Sequence, residues 1–382
     1  MTVQRWILAG LTVAFAAACV LALALARAGF REGRSAGQTV QAARGMPRMS
    51  WQVAWRTRLE ARPNAPAALF PEGWVVTDAA GGVTALSGKG DRVWRTVLSN
   101  QVFEASAAVS EGLVVVASLE GHVTALWAGT GERVWSVATG ARFQHQPLAG
   151  SAAVEGEKVV RLVSQADGRI FCLRLADGKA VWQGEETNRC DGEPAVWEGY
   201  IAYGNCDGAV YVFDAANGAQ KGSVKVGEDD QMAGGMLAAG AGLLVAGTRQ
   251  GNLVAVNAAT QTCVARVKVS SAEAFLKPAL AFGGLIAMGT QEGEVTFWQF
   301  DGKGLQPKGR VPFDAAVEQV CAYGDRLFVL SGGTLFVMDA VDGEPVKVPL
   351  GDEVYGLTAW CRCSVACVAD GAVVCVEGEA HE

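Results

Sequence analysis

One supersecondary unit is written eight times in this chain, and that repetition decides which folds are open to it. A glycine followed two residues later by Val, Ile or Leu recurs at Gly81, Gly121, Gly168, Gly208, Gly251, Gly293, Gly333 and Gly371, at gaps of 40, 47, 40, 43, 42, 40 and 38 residues. The cleanest copy, VFEASAAVSEGLVVVASLEGHVTALWAGTGERVWSVATG at 102–140, holds four short apolar or β-branched runs separated by Gly-bearing turns. None of these runs is long enough for an ordinary helix. Glu120-Gly121, Asp167-Gly168, Asp207-Gly208 and Asp370-Gly371 occupy one slot of the unit, and are expected to form a primed hairpin turn with positive φ at both residues. Their carboxylates are therefore read as turn chemistry before any metal or acid-base role.

A four-stranded sheet of this length cannot bury both faces alone, so such units stack around an axis as propeller blades. The expected fold is all-β, an eight-bladed propeller of four-stranded antiparallel blades over 51–382. The eighth copy ends at GAVVCVEGEAHE without a fourth strand, while QVAWRTRL at 52–59 matches the outer-strand sequence DRVWRTVL at 91–98 with no strands before it. The N-terminal strand is thus expected to complete the eighth blade and close the ring, leaving only short edges.

The stretches TALWAGTGERVW (124–135), CLRLADGKAVW (172–182), YVFDAANG (211–218) and FVMDAVDGEPV (336–346) resemble the PQQ-like propeller repeat, and eight blades with a closing strand look like the BamB family of outer-membrane assembly factors. The resemblance implies a non-catalytic scaffold whose partner is a protein, in its most specific form an outer-membrane assembly complex. Trp55, Trp94, Trp135 and Trp182 hold the outer-strand position and are expected to pack between blades. The matching strands near Val224, Val264, Val311 and Val346 lack the Trp. The enzymatic alternative is a quinoprotein or a small-ligand, PQQ-binding propeller. That class uses two adjacent cysteines beneath the quinone, and this sequence has no adjacent pair.

Upstream of the repeats, Trp6 to Ala26 is a 21-residue run without charge, long enough as a helix at about 1.5 Å per residue to span ~30 Å of hydrocarbon. Two readings fit it. Length favours a transmembrane anchor, and Ala26-Arg27-Ala28 would serve as the cleavage site of a signal segment. Cys19 lies inside the run with Ala16 three residues before it, which argues against lipidation. Residues 27–50, with five Arg and one Glu, read as a flexible basic linker after the short segment 1–5. The positive charge by itself favours a cytoplasmic linker, whereas the family resemblance implies a membrane-anchored propeller exported to the periplasm or cell exterior.

Charge excludes one class of partner. The chain carries −7, its first 50 residues contribute six Arg against one Glu, and the ring is left at −12, which repels phosphate backbones and argues against nucleic acid. The three histidines, His122, His145 and His381, share no metal or base-nucleophile spacing, so neither a catalytic residue nor a metal site is assigned. Nine cysteines lie outside the apolar run. Strand direction makes Cys190 and Cys206 neighbours, either as a disulfide in an oxidising compartment or as two thiols. Cys361, Cys363, Cys367 and Cys375 fit no common zinc pattern. The loops leading into the blades share a face with the Gly-bearing turns and carry Phe103, Phe143, Phe275, Phe313 and Tyr355, with His145, Arg142, Glu104 and Lys277 nearby. These aromatics, together with His145, form either a partner-binding rim or plugs for their own blades. The acidic run Glu228-Asp229-Asp230 on the same face reads as a solvated loop.

Overall fold

The computed structural model describes residues 49–380 except 71, 150–153, 325, 340–342 and 362–363. Eight four-stranded antiparallel sheets follow one another as blades 1 to 8, beginning at residues 68, 108, 148, 195, 237, 279, 317 and 354. In the first seven the strands lie in chain order from inner to outer. In the eighth, Met49–Arg58 lies outside Ala372–Ala380 and supplies the fourth strand, with Met49 opposite Ala380 and Arg58 opposite Ala372. The closing strand starts three residues before the expected Gln52 and ends one before Leu59. Among the described residues no helix is long and apolar enough to cross a membrane; the apolar run Trp6–Ala26, Cys19 and nearly all of the basic linker lie outside them.

The middle strands explain why the sequence reads as continuous apolar runs. Leu113–Ala117 and Gly73–Thr77 are buried at every position because blades cover both of their faces. The core therefore sits in the seams. Val75, Val83 and Ala85 of blade 1, for example, cluster with Val114, Val116 and Leu126 of blade 2.

The anchor glycines have two physical duties. At Gly121 φ is +84°, and an added Cβ would stand 2.4 Å from the carbonyl oxygen of Ala141, so both dihedral and space demand glycine. Its carbonyl accepts the N–H of Thr139 at 2.9 Å where the chain leaves the outer strand. Gly81, Gly208, Gly251, Gly293, Gly333 and Gly371 repeat that bond with Leu98, Val226, Val269, Phe313, Val354 and Leu59.

The turn type differs from the expectation. Glu120, Asp167 and Asp207 are not in the positive-φ region, and Gly121 N–H bonds the carbonyl of Ser118 at 3.1 Å, the pattern of a type I turn followed by a left-handed glycine. Primed turns instead join the first and second strands. Glu111-Gly112 and Glu198-Gly199 have positive φ at both positions and sit between the paired residues Ser110 and Leu113, and Trp197 and Tyr200.

Each outer strand that carries the Trp has a register shift just before it. Val93, Val134, Val181 and Ala54 are the extra residues preceding Trp94, Trp135, Trp182 and Trp55. Such a bulge twists the edge and re-aims the indole, and it leaves Val93 and Val181 in solvent. The indole then reaches the next blade. Trp94 Nε1 donates to Ala128 O at 2.7 Å, Trp135 to Leu175 O at 2.8 Å, and Trp55 to Gly88 O at 2.8 Å. Beneath each ring lies a positive-φ glycine, Gly131, Gly178 or Gly90, whose added Cβ would come within 2.4, 2.6 and 2.5 Å of the indole.

At the next seam, Trp182 covers Gly218 in the same way, but its Nε1 is buried with no partner. The equivalent acceptor, Ala215 O, is occupied by Nε of the buried Arg161 at 2.7 Å. One seam further the partners exchange sides. The residue after the bulge is Gly222, and the turn of blade 5 carries Gln261 at φ +54°, whose side chain fills the space beside Gly222 and donates to Lys221 O at 2.8 Å. Trp-to-Phe substitution at 94 or 135 removes a hydrogen bond along with the ring nitrogen, while at 182 it removes none. Urea unfolding should therefore show W94F and W135F to be less stable than W182F by about 0.5–1.5 kcal/mol.

Candidate functional site

An axial channel of about 1240 Å³ is lined by the first strands and lead-in loops of all eight blades. Its lower part mixes apolar side chains with the exposed Glu198. Leu69, Val196 and Leu280 are more than 40% exposed there, each one residue from the turn into the second strand. The upper mouth is polar, with Glu104, Gln144, Asp191, Glu193, Lys277 and Glu318 around it.

A belt of side chains ties the inner strands together around this channel. Ser106 donates to Pro66 O at 2.7 Å, Gln146 to Ala107 O at 2.7 Å, Thr358 to Ala67 O at 2.6 Å, and Gln319 exchanges two bonds with Leu357 at 2.9 and 2.8 Å. Sequence reasoning missed these residues. A signal existed, since Ser106, Gln146 and Thr358 each stand three places after Phe103, Phe143 and Tyr355.

On the far side, blades 4 to 6 are pinned by charge. Lys277 bonds Glu193 at 2.7 Å across blade 5, whose Gly235 has room for no side chain between them. Arg249 joins Asp191 at 3.1 Å to Glu273 at 3.2 Å. Burial pushes the Asp191 carboxyl up, but bonds from Arg189, Gln165 and Cys206 outweigh it and hold the group below the ordinary carboxylate range.

The expected rim divides in two. Phe103 is 0% and Phe143 1% exposed; the first joins the core of blades 1 and 2, and the second packs edge-on against Phe171 at 5.7 Å. Phe313 is half-buried, edge-on to Phe336 at 5.2 Å. His145 is buried too, with Nε2 3.0 Å from Cys190 O. These four serve as plugs and supports of the blades. Phe275 at 43% and Tyr355 at 44% exposure do face solvent, and the guanidinium of Arg62 lies 4.3 Å above the Tyr355 ring.

Of the two readings of Cys190 and Cys206 the structure has the thiols, and the reading of the acidic run needs correction. Cys190 and Cys206 are adjacent, with Cys206 N–H on Arg189 O at 3.0 Å, but both thiols are free. Cys190 Sγ turns to Gly192 O and Cys206 Sγ to Asp191, each at 3.3 Å, and burial raises the Cys190 thiol far above its ordinary pKa. Asp230 is no solvated residue. It is buried, bonded by Arg266 and Asn252 at 2.9 Å and by the N–H groups of Gln231 and Gln250 at 3.0 Å, and it locks the blade 4–5 seam. Among the described residues no three His, Cys, Asp or Glu side chains converge as metal ligands.

Fold and channel together define an eight-bladed propeller of PQQ-like repeats with an axial site. The resemblance read from the repeats is borne out by comparison with known proteins. The family profile described as "Outer membrane protein assembly factor BamB" matches residues 47–225, the closing strand and blades 1 to 4, where the four tryptophans lie. The chain is 27% identical over 132 residues to the outer membrane protein assembly factor BamB of Burkholderia pseudomallei, a match covering 35% of this chain and 34% of that relative. The matched part thus spans about a third of the relative's length. BamB from Moraxella catarrhalis shares the fold with a TM-score of 0.70 at 18% identity, over 87% of this chain and 99% of that one. A quinohemoprotein alcohol dehydrogenase from Pseudomonas putida HK5 shares it at 0.67 and 13%, over 86% and 76%.

The last likeness, at 13% identity, is one of fold, and the charge at the channel mouth is mainly negative. Glu104, Asp191, Glu193 and Glu318 line the mouth, and Lys277 there is already paired. The cysteines nearest it, Cys190 and Cys321, come from different blades and cannot form an adjacent pair.

Two outcomes follow for the rim and the mouth. Phe103→Ser should cost about 3–5 kcal/mol and unfold the ring in a thermal melt, whereas Phe275→Ser should stay within about 0.5 kcal/mol of the parent. Burial holds the His145 imidazole below its ordinary pKa, with Lys277 acting the same way and the Cys190 carbonyl, Glu193 and Asp191 opposing. A folded pKa below the unfolded ~6.5 means that the folded state binds fewer protons. Its contribution is full above that value and is lost as pH falls through it. Urea midpoints at pH 7.5, 6 and 5 should fall for the parent, and less steeply for His145→Gln.

Proposed function

We propose that this chain is a membrane-tethered, non-catalytic propeller that holds protein partners in outer-membrane protein assembly, with the ring exported to the periplasm. The observation that carries this reading is the match of residues 47–225 to the BamB profile. Three features accord with it. The ring presents solvent-facing aromatics beside an open channel, interfaces draw on such aromatic anchors, and the ring's −12 charge disfavours nucleic acid and anionic cofactors. The tether is assigned to residues 6–26, read from the sequence as an anchor.

Crosslinking of tagged full-length chain in its native membrane, followed by capture and mass spectrometry, tests the proposal. Recovery of a β-barrel insertion complex is the expected result. Recovery of no stable partner, together with tight PQQ binding by the isolated protein, would overturn it in favour of a small-ligand propeller.

A further inference from the structure

We propose that the upper mouth of the channel is the docking surface, and that its occupant is a basic stretch of a protein partner carrying apolar side chains between its lysines or arginines. This rests on the protein-scaffold reading and adds the place and chemistry of the contact. Two carboxylates on different blades of the mouth lack a cation. Glu104 of blade 2 takes only the neutral amide of Gln144 at 2.6 Å, and Glu318 of blade 7 takes the N–H of Gly333 at 3.1 Å. Neither forms an ion pair among the described residues, whereas Asp191, Glu193 and Glu273 on the opposite arc are all paired. The mouth therefore offers negative charge on one side and saturated charge on the other, and a positively charged partner is drawn to the unsaturated arc.

The exposed aromatics stand at the two ends of this arc. Phe275 of blade 6, beside the paired Lys277, and Tyr355 of blade 8 flank the first strand of blade 7, which carries Glu318, and are the two rim aromatics left exposed. Arg62 on the Tyr355 ring shows that this surface accepts a guanidinium. Below, Leu69, Val196 and Leu280 expose an apolar collar in the channel, which suits the hydrophobic side chain of an inserted segment. Size points the same way. At about 1240 Å³ the channel exceeds the ~300–1,000 Å³ of small-molecule pockets and is lined by every blade, which fits a polypeptide loop better than a metabolite.

The test uses full-length protein in detergent and a fluorescein-labelled peptide alternating lysine and leucine, with the glutamate-leucine counterpart as control, read by fluorescence anisotropy. The lysine peptide should bind and the glutamate peptide should not. Glu104→Gln with Glu318→Gln should weaken binding about tenfold or more, and Phe275→Ser with Tyr355→Ser to a similar degree. Glu132→Gln with Glu155→Gln removes equal charge from the opposite face and should change affinity less than about twofold. Equal losses from both faces would mean nonspecific attraction to an acidic ring, and no loss from either mouth variant would equally overturn the proposal. The membrane crosslink separates this inference from the broader one. If the mouth variants still recover the insertion complex at parental yield, the docking site is wrong while the assembly role stands. If the parent recovers no complex yet binds the peptide through the mouth, the assembly role is wrong while the docking site stands.

Discussion

The antiparallel pairing of Met49–Arg58 with Ala372–Ala380 joins the two ends of the repeat array, and the closed ring and its channel depend on it. An open row of eight blades would leave the faces of blades 1 and 8 uncovered. Closure turns these faces toward each other, so that Trp74 and Leu86 of blade 1 pack with Val368 and Val373 of blade 8. It also forms the channel, since a ring of inner strands exists only once blade 8 meets blade 1 through Thr358 and Ala67. Because the pairing spans nearly the whole sequence, its loop-closure entropy must be overcome before the seam gives anything back.

Within the closed ring the seams differ. Seams 8–1, 1–2 and 2–3 share one device, a bulge that throws an indole over a left-handed glycine of the next blade with its N–H on a carbonyl. At seam 3–4 Arg161 takes that carbonyl, and at seam 4–5 the bulky partner moves to the other side as Gln261 facing Gly222. Bulk has to be conserved across a close-packed seam, though the side that supplies it need not be. The sequence likeness to the BamB profile covers residues 47–225, the stretch that holds all four of these tryptophans. Ion pairs add to the packing beyond it, with Asp230 in the lead-in loop of blade 5 on Arg266 of the same blade and Lys277 on Glu193 across blade 5.

Much of this architecture was legible before any coordinates. Repeat period, blade number, the donated closing strand and the inter-blade place of Trp55, Trp94 and Trp135 all follow from patterns that local physics makes nearly obligatory. What misled was chemistry that depends on where a chain goes next. Asp167-Gly168 looks like a primed turn, yet a type I turn followed by left-handed glycine uses the same residues, and the primed pair was Glu111-Gly112 instead. Phe103 and Phe275 stand equally far before their anchor glycines, yet one is sealed and the other exposed. Phe103 belongs to the apolar cluster shared by blades 1 and 2, whereas Phe275 joins none of the buried clusters. Cys190 and Cys206 were correctly neighbours, but adjacency of backbones did not aim their sulfurs at each other.

The asymmetry of charge at the channel mouth follows from the same history of seams. Where blades 4 to 6 replaced indole packing by ion pairs, their carboxylates became structural, committed to Arg189, Arg249, Arg266 and Lys277. On blade 2, whose outer strand carries an indole, Glu104 accepts only an amide. Blade 7 reached the same result through the Gln319 belt, which ties it to blade 8 without charge and leaves Glu318 to a backbone N–H. A carboxylate already neutralised by a buried or half-buried arginine adds little attraction for an incoming cation, whereas one bonded only to neutral groups keeps its field. The pairing of carboxylates around the ring thereby fixes which arc of the mouth can attract a partner.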